Sequence, residues 1–419
     1  MHTFLRIHFV ALLLAVSAQA DDSSTRVTPD YIKRLIGEAV ASHPSVEAAE
    51  ARSQAATSAI SAVRLWEDPQ LGLGTRAASR EMRMDEGDIM VGLDQMLPRK
   101  GLFRAEKRRA TAEQQAQQAT RQQTEAELGL TVGQTVLELA LADELIRLQS
   151  ENLVWLKTIV GIAGERAKNP DASATESLRL ESELALRSQS LASLKRQRVQ
   201  YATTLNLLLG RAEDTTGTLA LDNSPSKLTN ALALRQRLEE NNPQLAAMRH
   251  QAEGAQAEAD ASREKRKPVV SVGVETNTYS GGDFREAMFA VRVTLPWFNR
   301  SVYQADIARA ESERDATLGD LAAQQRELYT QLITLITEAQ NNQELFDSYS
   351  EEVLPKTEKA VETTQNAWVS SKATLLEVLD ARRLLLDAQA EQKRALASRH
   401  VADQALIAIT GGHLQQAGK

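Results

Sequence analysis

The sequence repeats a short motif at an interval of about 200 residues, and this repetition restricts the folds that the chain can adopt. The first copy is Leu97-Pro98-Arg99-Lys100-Gly101, and the second is Leu295-Pro296-Trp297-Phe298-Asn299. Each copy follows a segment of alternating apolar residues and precedes a long polar, Ala-rich segment. Proline cannot pair inside a sheet but is tolerated in the first turn of a helix. Each motif therefore predicts an abrupt strand-to-helix turn, with Pro98, Gly101, Pro296 and Asn299 at its key positions.

Three further landmarks recur at nearly the same interval. They are His43-Pro44 with Asn242-Pro243, Asp68-Pro69 with Lys267-Pro268, and Glu176-Ser177-Leu178 with Glu377-Val378-Leu379. Shared spacing of several landmarks is the signature of an internal repeat. The sequence therefore predicts two tandem copies of one structural unit, at 21–220 and 221–419.

Composition favours long helices over a thick globular core. Aromatic residues make up 4% of the chain, and there are 10 prolines. There is no cysteine, which excludes disulfides, thiolate metal sites and cysteine nucleophiles. The net charge of −7 is spread along the chain, so we predict no nucleic-acid partner.

Residues 1–20 have the three parts of a secretory signal peptide. Arg6 supplies a positive charge, Phe9 to Val16 is apolar, and Ala18-Gln19-Ala20 is a small-residue cleavage site. A membrane anchor is the alternative, but this apolar run is far shorter than the ~20 residues that a membrane span needs. We therefore predict export with cleavage after Ala20. No later stretch reads as a transmembrane helix, so any crossing of a membrane must use strands.

Four segments show the period-two alternation of β-strands, namely 70–78, 88–97, 269–277 and 287–296. In the second pair, apolar residues share one face, and Glu275, Asn277 and Arg292 lie on the other. A soluble sandwich would bury such an apolar face, but the sequence predicts no second sheet or apolar helix to cover it. Strands of ~9–11 residues with one apolar and one polar face are typical of membrane barrels, whose smallest members have about eight strands. Four strands are too few, so several copies must combine their strands.

The other segments have the composition of helices, and two of them are very long. A helix from Tyr31 to about Trp66 is expected to break at His43-Pro44. We predict further helices at 99–166, 175–209, 228–266, 299–366 and 374–410, and a polar linker at 211–227. A helix of some 65 residues reaches ~100 Å, and such lengths favour coiled-coil packing.

These features, in this order, resemble the TolC family of outer-membrane efflux channels. The match rests on the signal, the two repeats, the Leu-Pro turns and Glu377-Val378-Leu379-Asp380-Ala381 at the start of the last helix, and it covers essentially the whole mature chain. The resemblance implies a mainly α protein with a small membrane β part. In that family, three copies form a twelve-stranded β-barrel in the outer membrane and a long α-helical tunnel through the periplasm.

The resemblance also implies partners and a function. It implies a homotrimer in outer-membrane lipid of a Gram-negative cell, a periplasmic adaptor (membrane fusion) protein, and an inner-membrane pump of the RND type or another type. The chain would then be the passive outlet of a tripartite efflux system for small solutes, with docking near Asn169 to Thr175 and Val369 to Thr374. Asn299-Arg300 and Ile307-Ala308-Arg309-Ala310-Glu311 are similar to the heavy-metal-efflux branch, so heavy-metal cations or drugs are the expected solutes. The alternatives are an outlet for type I protein secretion and, from another class, a periplasmic coiled-coil adaptor or scaffold.

One site follows residue by residue from the resemblance. The family closes its periplasmic tip with an Asp-Val-Leu-Asp motif, and Glu377 and Asp380 occupy the acidic positions here. Three copies would form rings of like charge; the alternative is a solvated pair that interacts favourably with a helix N-terminus. The family also has an upstream tyrosine and arginine as latches, which Trp368 and Ala373 replace. Trp368 therefore completes the predicted periplasmic gate.

No catalytic, cofactor or metal site is predicted, because the histidines are scattered and no nucleophile–base pair stands out. Two groups near the turns have alternative interpretations. Trp66 and Trp297 would lie either at a membrane interface or in the core. A basic cluster would meet either inner-leaflet phosphate groups or only solvent. It consists of Arg99, Lys100, Arg104, Lys107, Arg108 and Arg109.

Overall fold

The computed structural model describes residues 24–75, 89–166, 174–212, 216–224, 230–278, 284–370 and 372–412. The predicted signal peptide lies outside these residues, as do parts of several predicted loops and strand ends. Within the described part, no helix is both long and apolar enough to span a membrane.

The first half of the chain runs from a short strand through two short helices to a hairpin and two long helices. Its elements are β1 (Thr25–Val27), α1 (Pro29–Ser42), α2 (Pro44–Ala62), β2 (Gln70–Thr75), β3 (Ile89–Met96), α3 (Lys100–Arg166) and α4 (Ala174–Leu209). α3 contains 67 residues, which corresponds to about 100 Å at 1.5 Å per residue. The hairpin and the far end of α3 are therefore separated by most of the length of the molecule.

The second half follows the same order with two additional interruptions. Its elements are β4 (Leu219–Leu221), α5 (Ala231–Asn241), α6 (Pro243–Lys265), β5 (Val270–Thr278), β6 (Phe284–Val293), a 3₁₀ turn (Pro296–Asn299), α7 (Arg300–Ser348), a π turn (Tyr349–Val353), α8 (Leu354–Val369) and α9 (Leu375–Ile409). The predicted strand at 287–296 is therefore wrong at both ends. The strand begins at Phe284 and ends at Val293, and Pro296, the last residue of the predicted strand, begins the 3₁₀ turn because it has no N–H to continue the ladder.

The single helix predicted at 228–266 is in fact two helices, broken at Asn242. Pro243 starts the second helix, and the Asn242 side chain accepts a hydrogen bond from the Leu245 N–H at 2.9 Å. His43 has the same role in the first half, where its Nδ1 accepts from the Ser45 N–H at 3.2 Å. A proline preceded by a capping side chain thus starts a helix in each half.

The single helix predicted at 299–366 is also interrupted, by the π turn before α8. Pro355 lies in the first turn of α8, where it cannot donate to an earlier carbonyl and its ring crowds that carbonyl. The wider π turn accommodates this, and Ser350 within it accepts a hydrogen bond from Gln392 of α9 at 2.8 Å. In contrast, α3 is continuous over the corresponding part of the first half.

The four longer strands form one antiparallel sheet in the order β2-β3-β5-β6. The two hairpins therefore meet in the middle, where β3 of the first half pairs with β5 of the second. The predicted end of the first strand, at 76–78, lies outside the described residues.

A second, small sheet is formed by β1, near the start of the described chain, and β4, within the segment predicted as a polar linker at 211–227. β1 and β4 pair in parallel, with Thr25 opposite Leu219 and Val27 opposite Leu221. Asp143 of α3 is buried beside this pair and accepts hydrogen bonds from the Leu219 N–H at 2.8 Å and from Arg198 Nε at 2.5 Å. The join between the halves is thus packed against the long helices, a feature that no sequence pattern indicated.

Four clusters of buried apolar residues lie along the helices in the described part of the chain, and three of them are large. The central cluster includes Val132, Val136 and Leu139 of α3, all fully buried. A second cluster, here named the tip core, lies at the far end of α3 and joins it to α4, α8 and α9. Its buried members are Leu153, Leu156, Ile159, Ala163, Leu180, Trp368, Leu375, Val378 and Leu379. The third cluster joins α5, α6, α7 and α9.

Candidate functional site

One face of the four-stranded sheet is apolar and exposed. Its central row consists of Leu71, Leu93, Val274 and Phe289, which pair across the four strands in register. All four are exposed, Phe289 to 82%. Exposed apolar patches of this kind mark a surface that contacts lipid or another apolar partner. The predicted two-faced sheet is therefore present, and the described chain leaves its apolar face uncovered.

The opposite face of the sheet is polar. Asp94 of β3 and Arg292 of β6 form an ion pair that crosses β5 at Gly273. A Cβ at Gly273 would lie 2.8 Å from the Asp94 carboxylate, so glycine leaves room for the pair. Glu275 and Asn277 lie on this face, as predicted, and Asn277 donates to Glu286 at 3.0 Å. One face can thus contact an apolar medium while the other contacts water.

The first strand-to-helix turn places Pro98 between β3 and α3, and Gly101 in the first turn of α3. The Glu264 carboxylate, at the end of α6, lies directly against Gly101, where a Cβ would be 2.1 Å from it. A negative charge is favourable at a helix N-terminus, which carries partial positive charge. Gly101 therefore allows α6 to approach the start of α3 closely.

The second turn differs from the first. Pro296 is buried, whereas Asn299 is exposed and its side chain makes no capping hydrogen bond to α7. The neighbouring Trp297 and Phe298 are exposed to 57% and 79%, and Trp66 at the first turn is also exposed. The two tryptophans are thus not in the core of the chain. Their position beside the apolar sheet face fits an interfacial location.

At the far end of the molecule, Glu377 forms a reciprocal cap with Thr374 at the start of α9. The Thr374 N–H and hydroxyl donate to the Glu377 carboxylate at 2.7 and 3.1 Å, and the Glu377 N–H donates to Thr374 Oγ1 at 3.3 Å. Both side chains are exposed. Glu377 is therefore a capping residue as well as a surface charge, as in the alternative considered from the sequence. The Thr-x-x-Glu spacing is a readable signal for this cap, which our sequence interpretation missed.

Asp380 lies one turn further along α9 and is also exposed. Its carboxylate is 3.8 Å from Arg383, which in turn is 3.4 Å from Glu183 of α4. Glu183 also accepts from Arg187 at 2.7 Å. Asp380 is thus the outer member of a charge network that joins the two return helices. Nothing in the sequence pattern pointed to Arg383 and Glu183, which are 200 residues apart.

Trp368 is 2% exposed and belongs to the tip core. Its indole is therefore packed inside the subunit, whereas Glu377 and Asp380, the other two residues of the gate predicted from the sequence, are exposed. Ala373, at the position of the family's arginine, packs against the same core.

Arg382 is a tip residue that the sequence did not single out. Its Nε donates to the buried Asn152 at 3.1 Å, and its guanidinium lies 5.0 Å from the centre of the Trp155 ring. Burial lowers the pKa of Arg382 below its usual value. The side chain therefore ties the start of α9 to α3, while Glu377 and Asp380 on the same turns remain exposed.

Comparison with known protein families gives one match in each half of the chain. The family model described as "Outer membrane efflux protein" matches residues 35–211 and 234–412. These two segments correspond to the two predicted repeats and together include most of the chain.

Solved structures of similar fold support the same architecture. The outer membrane protein VceC from Vibrio cholerae is 18% identical with a TM-score of 0.78, and the match covers 91% of this chain and 96% of that chain. The CmeC outer membrane channel of Campylobacter jejuni is 13% identical with a TM-score of 0.77, covering 99% and 94% of the two chains. The open state of the MtrE outer membrane channel of Neisseria gonorrhoeae is 17% identical with a TM-score of 0.74, covering 91% and 89%. The comparison with curated protein sequences gives no match.

Proposed function

Because this chain belongs to the outer membrane efflux protein family, we propose that it is the passive outer-membrane outlet of a tripartite efflux system for small solutes. The observation that carries the proposal is the sheet, which has an exposed apolar face and a polar face and is joined directly to α3, a helix about 100 Å long. Such a molecule can reach from a membrane to a distant partner without a change of fold.

In this proposal three copies assemble, because the four strands of one chain cannot close on themselves. Twelve pooled strands would place the apolar row of Leu71, Leu93, Val274 and Phe289 against lipid. The Asp94–Arg292 pair would then face the water-filled interior. The helices would continue this passage into the periplasm, where an adaptor and an inner-membrane pump would dock at the tip.

Glu377 and Asp380 would form the acidic constriction of the resting channel. Both carboxylates are exposed and lie on successive turns of α9, so three copies would bring six negative charges around one axis. Like charges at short range repel, and divalent cations would bind between them and block the passage. Docking of the partners would move α9 outward and separate the charges. No group of this chain performs chemistry on the solute in this mechanism; the pump supplies the energy.

Single-channel conductance in planar bilayers tests the proposal. The variant Glu377→Gln/Asp380→Asn removes both charges but keeps the side-chain size and the capping geometry of the first turn. We expect a small, stable conductance in the wild type that divalent cations block, and a loss of that block in the variant. Glu362→Gln, on the exposed surface of the neighbouring helix α8, is the matched control. If the wild-type protein forms no pore in any condition, the channel proposal is wrong.

A further inference from the structure

A large groove lies between α3, α6 and α7, at the end of these helices that is nearest the sheet. Its volume is about 980 Å³, at the upper end of the range for small-molecule sites. α6 packs against both other helices and forms the base of the groove, where Ala252 and Ala257 are small and buried. The groove therefore has room for one ligand of the size of a drug or a dye.

The rim of the groove carries an excess of positive charge. It contains five basic side chains, which are Arg104, Lys107, Arg108, Arg249 and Arg314, and one acidic side chain, Glu253. Glu253 lies 3.0 Å from His250 Nδ1. The groove therefore favours an anion over a cation.

The basic side chains differ in how far they are already paired. Three of them have a partner: Arg108 is 2.8 Å from Asp260, Arg314 is 2.6 Å from Asp315, and Arg249 donates to the Glu239 carbonyl at 2.8 Å. Arg104 and Lys107 form no ion pair within the described residues, although Lys107 lies over the Phe103 ring at 5.8 Å. Two cations about one turn apart on α3 are thus available for one anionic group.

Charge and apolar surface are separated along the groove. At 1.5 Å per residue, Arg104 and Lys107 lie about 6 and 10 Å from the start of α3, whereas Ala112 lies about 18 Å from it. Ala252 of α6 and Leu318 of α7 are likewise farther from the sheet than the two cations. A lipid of the membrane that holds the sheet has the opposite polarity, with its hydrocarbon towards the sheet. The groove therefore matches a ligand that enters from water.

The order of the strands fixes the direction in which the helices follow one another. Leu97 has the same side-chain direction as Leu93 on the apolar face, and its N–H donates to Val270 of β5 at 2.8 Å. For a strand of L-residues, this places β5 to the left of β3 when the apolar face is viewed with the helices below. Because β3 leads into α3 and α6 leads into β5, α6 lies to the left of α3 in the same view.

The groove opens on the same side of the molecule as the apolar face of the sheet. Ala105 of α3 packs against Ala261 of α6, which is on the left in this view. Since α3 is right-handed and runs downward, Arg104 and Gln115 point towards the viewer and Glu113 points away. In the proposed assembly the apolar face is turned outward, so the groove lies outside the passage.

From these observations we propose that the groove binds an amphipathic organic anion, a water-soluble molecule with one anionic group and an apolar body. The anionic group lies between Arg104 and Lys107, and the apolar body lies along Ala112, Ala252 and Leu318. The bound anion bridges α3 and α7 across α6 on the outside of the helices. This site goes beyond the proposed efflux function, because its ligand is not a solute in transit and needs neither the gate nor a partner protein.

Two dyes that differ in one charged group test for this class of ligand. Anilinonaphthalene sulfonate has an apolar body and one sulfonate, and phenylnaphthylamine has the same body without the sulfonate. The natural chain has no cysteine, so Gln115→Cys places a single thiol in the groove of the full-length protein. The protein is held in nanodiscs of phosphatidylcholine, and the rate at which a water-soluble maleimide labels the thiol is measured with and without dye.

The sulfonate dye should protect the thiol in the groove. We expect it to slow labelling at position 115 about tenfold at saturation, because a pocket covers most of the surface of its ligand. The uncharged dye should need about tenfold higher concentration, because hydrogen bonds to a charged group contribute at least this factor. Glu113→Cys, on the opposite side of α3, is the control and should be labelled at the same rate with and without dye.

The charge requirement is tested with two variants of equal charge change, each combined with Gln115→Cys. Arg104→Gln/Lys107→Gln removes the two unpaired cations of the rim, and Lys100→Gln/Arg300→Gln removes two exposed cations of the turns that do not line the groove. We expect the first variant to need about tenfold more sulfonate dye for half-protection, because it loses the charged hydrogen bonds to the sulfonate. We expect the second to resemble the protein with Gln115→Cys alone.

Four results would overturn this site. Absent protection, or equal protection by both dyes, would show that the groove does not select an organic anion. Equal effects of the two double variants would show a general attraction to a basic surface. Slower labelling of position 115 in nanodiscs of phosphatidylglycerol than of phosphatidylcholine, without dye, would show that a lipid headgroup occupies the rim. A block of conductance by the sulfonate dye that Arg104→Gln/Lys107→Gln removes would place the groove inside the passage.

Conductance of the same variants without dye shows whether the channel forms. A working channel without dye protection contradicts the anion site alone, and dye protection without a pore contradicts the channel proposal alone. The two proposals therefore fail separately.

Discussion

The carboxylate of Glu377 and the hydroxyl of Thr374 cap each other at the start of α9, with the Thr374 N–H donating to Glu377 at 2.7 Å. A residue predicted to close a pore by its charge therefore also fixes the end of the helix that carries it. A substitution of Glu377 therefore changes both the surface charge and the cap of α9, unless the new side chain keeps one of these two properties.

Glu377→Ala should loosen the first turn of α9, whereas Glu377→Gln should leave it intact. Glutamine can still accept the hydrogen bonds of Thr374, but alanine cannot, and the loss of such a cap costs about 0.3–1.5 kcal/mol. Amide hydrogen exchange over residues 375–380 measures this. Equal exchange in the two variants would show that the cap has no role in holding the turn.

Trp368→Ala should destabilise the tip without affecting the sheet end. The indole is 2% exposed in the tip core, and removal of a buried tryptophan side chain costs about 3–5 kcal/mol. We expect faster hydrogen exchange in α8 and the first turns of α9. Trp297→Ala is the matched control, because that side chain is largely exposed. Normal exchange at the tip in Trp368→Ala would contradict the assignment of Trp368 to the core.

Asp143→Ala should release the join between the two halves. The change leaves the buried Leu219 N–H and the Arg198 guanidinium without their acceptor, and breaking such a buried pair costs about 3–5 kcal/mol. Limited proteolysis in the segment 211–224 and thermal unfolding both report the effect. Asp68→Ala, which removes an exposed carboxylate paired with Arg64, should change stability by less than about 1 kcal/mol.

The ion pair between Glu38 and Arg211 should make stability fall in acid. The hydrogen bond from Arg211 is the main cause that lowers the pKa of Glu38 from its usual value of 4.5. The unfolded chain then takes up this proton at higher pH than the folded chain. The contribution is fully present above pH 4.5 and is lost as the pH falls towards the lowered pKa.

Thermal unfolding from about pH 6 to pH 3 tests this in Glu38→Gln. The variant should be less stable than the wild type at the upper end of the range, and the difference should shrink as the pH falls. Glu47→Gln, on the next helix and without an ion pair in the described chain, is the control for the removal of one carboxylate. A difference between Glu38→Gln and the wild type that stays constant with pH would contradict the prediction.

Local sequence patterns identified most helices and strands of this protein, but not all of their boundaries. The Leu-Pro motifs located both strand-to-helix turns, and His43-Pro44 located a helix break, because proline restricts the backbone within a few residues of itself. The same reasoning applied to Asn242-Pro243 would have divided the helix predicted at 228–266. β1 and β4 were missed because each has only three residues and their pairing partners are far apart in the chain.

The repeat, the family and the acidic pair Glu377 and Asp380 near the start of the last helix can all be recognised in the sequence. These depend on spacing along the chain, which the sequence records directly. Only the tertiary structure decided that Trp368 is buried in the tip core and that Arg383 joins Asp380 to Glu183. It also decided that three helices enclose a groove with a basic rim. These features depend on how helices from the two halves pack side by side. That packing brings together residues 200 positions apart, such as Glu183 and Arg383, and no local pattern in the sequence signals their proximity.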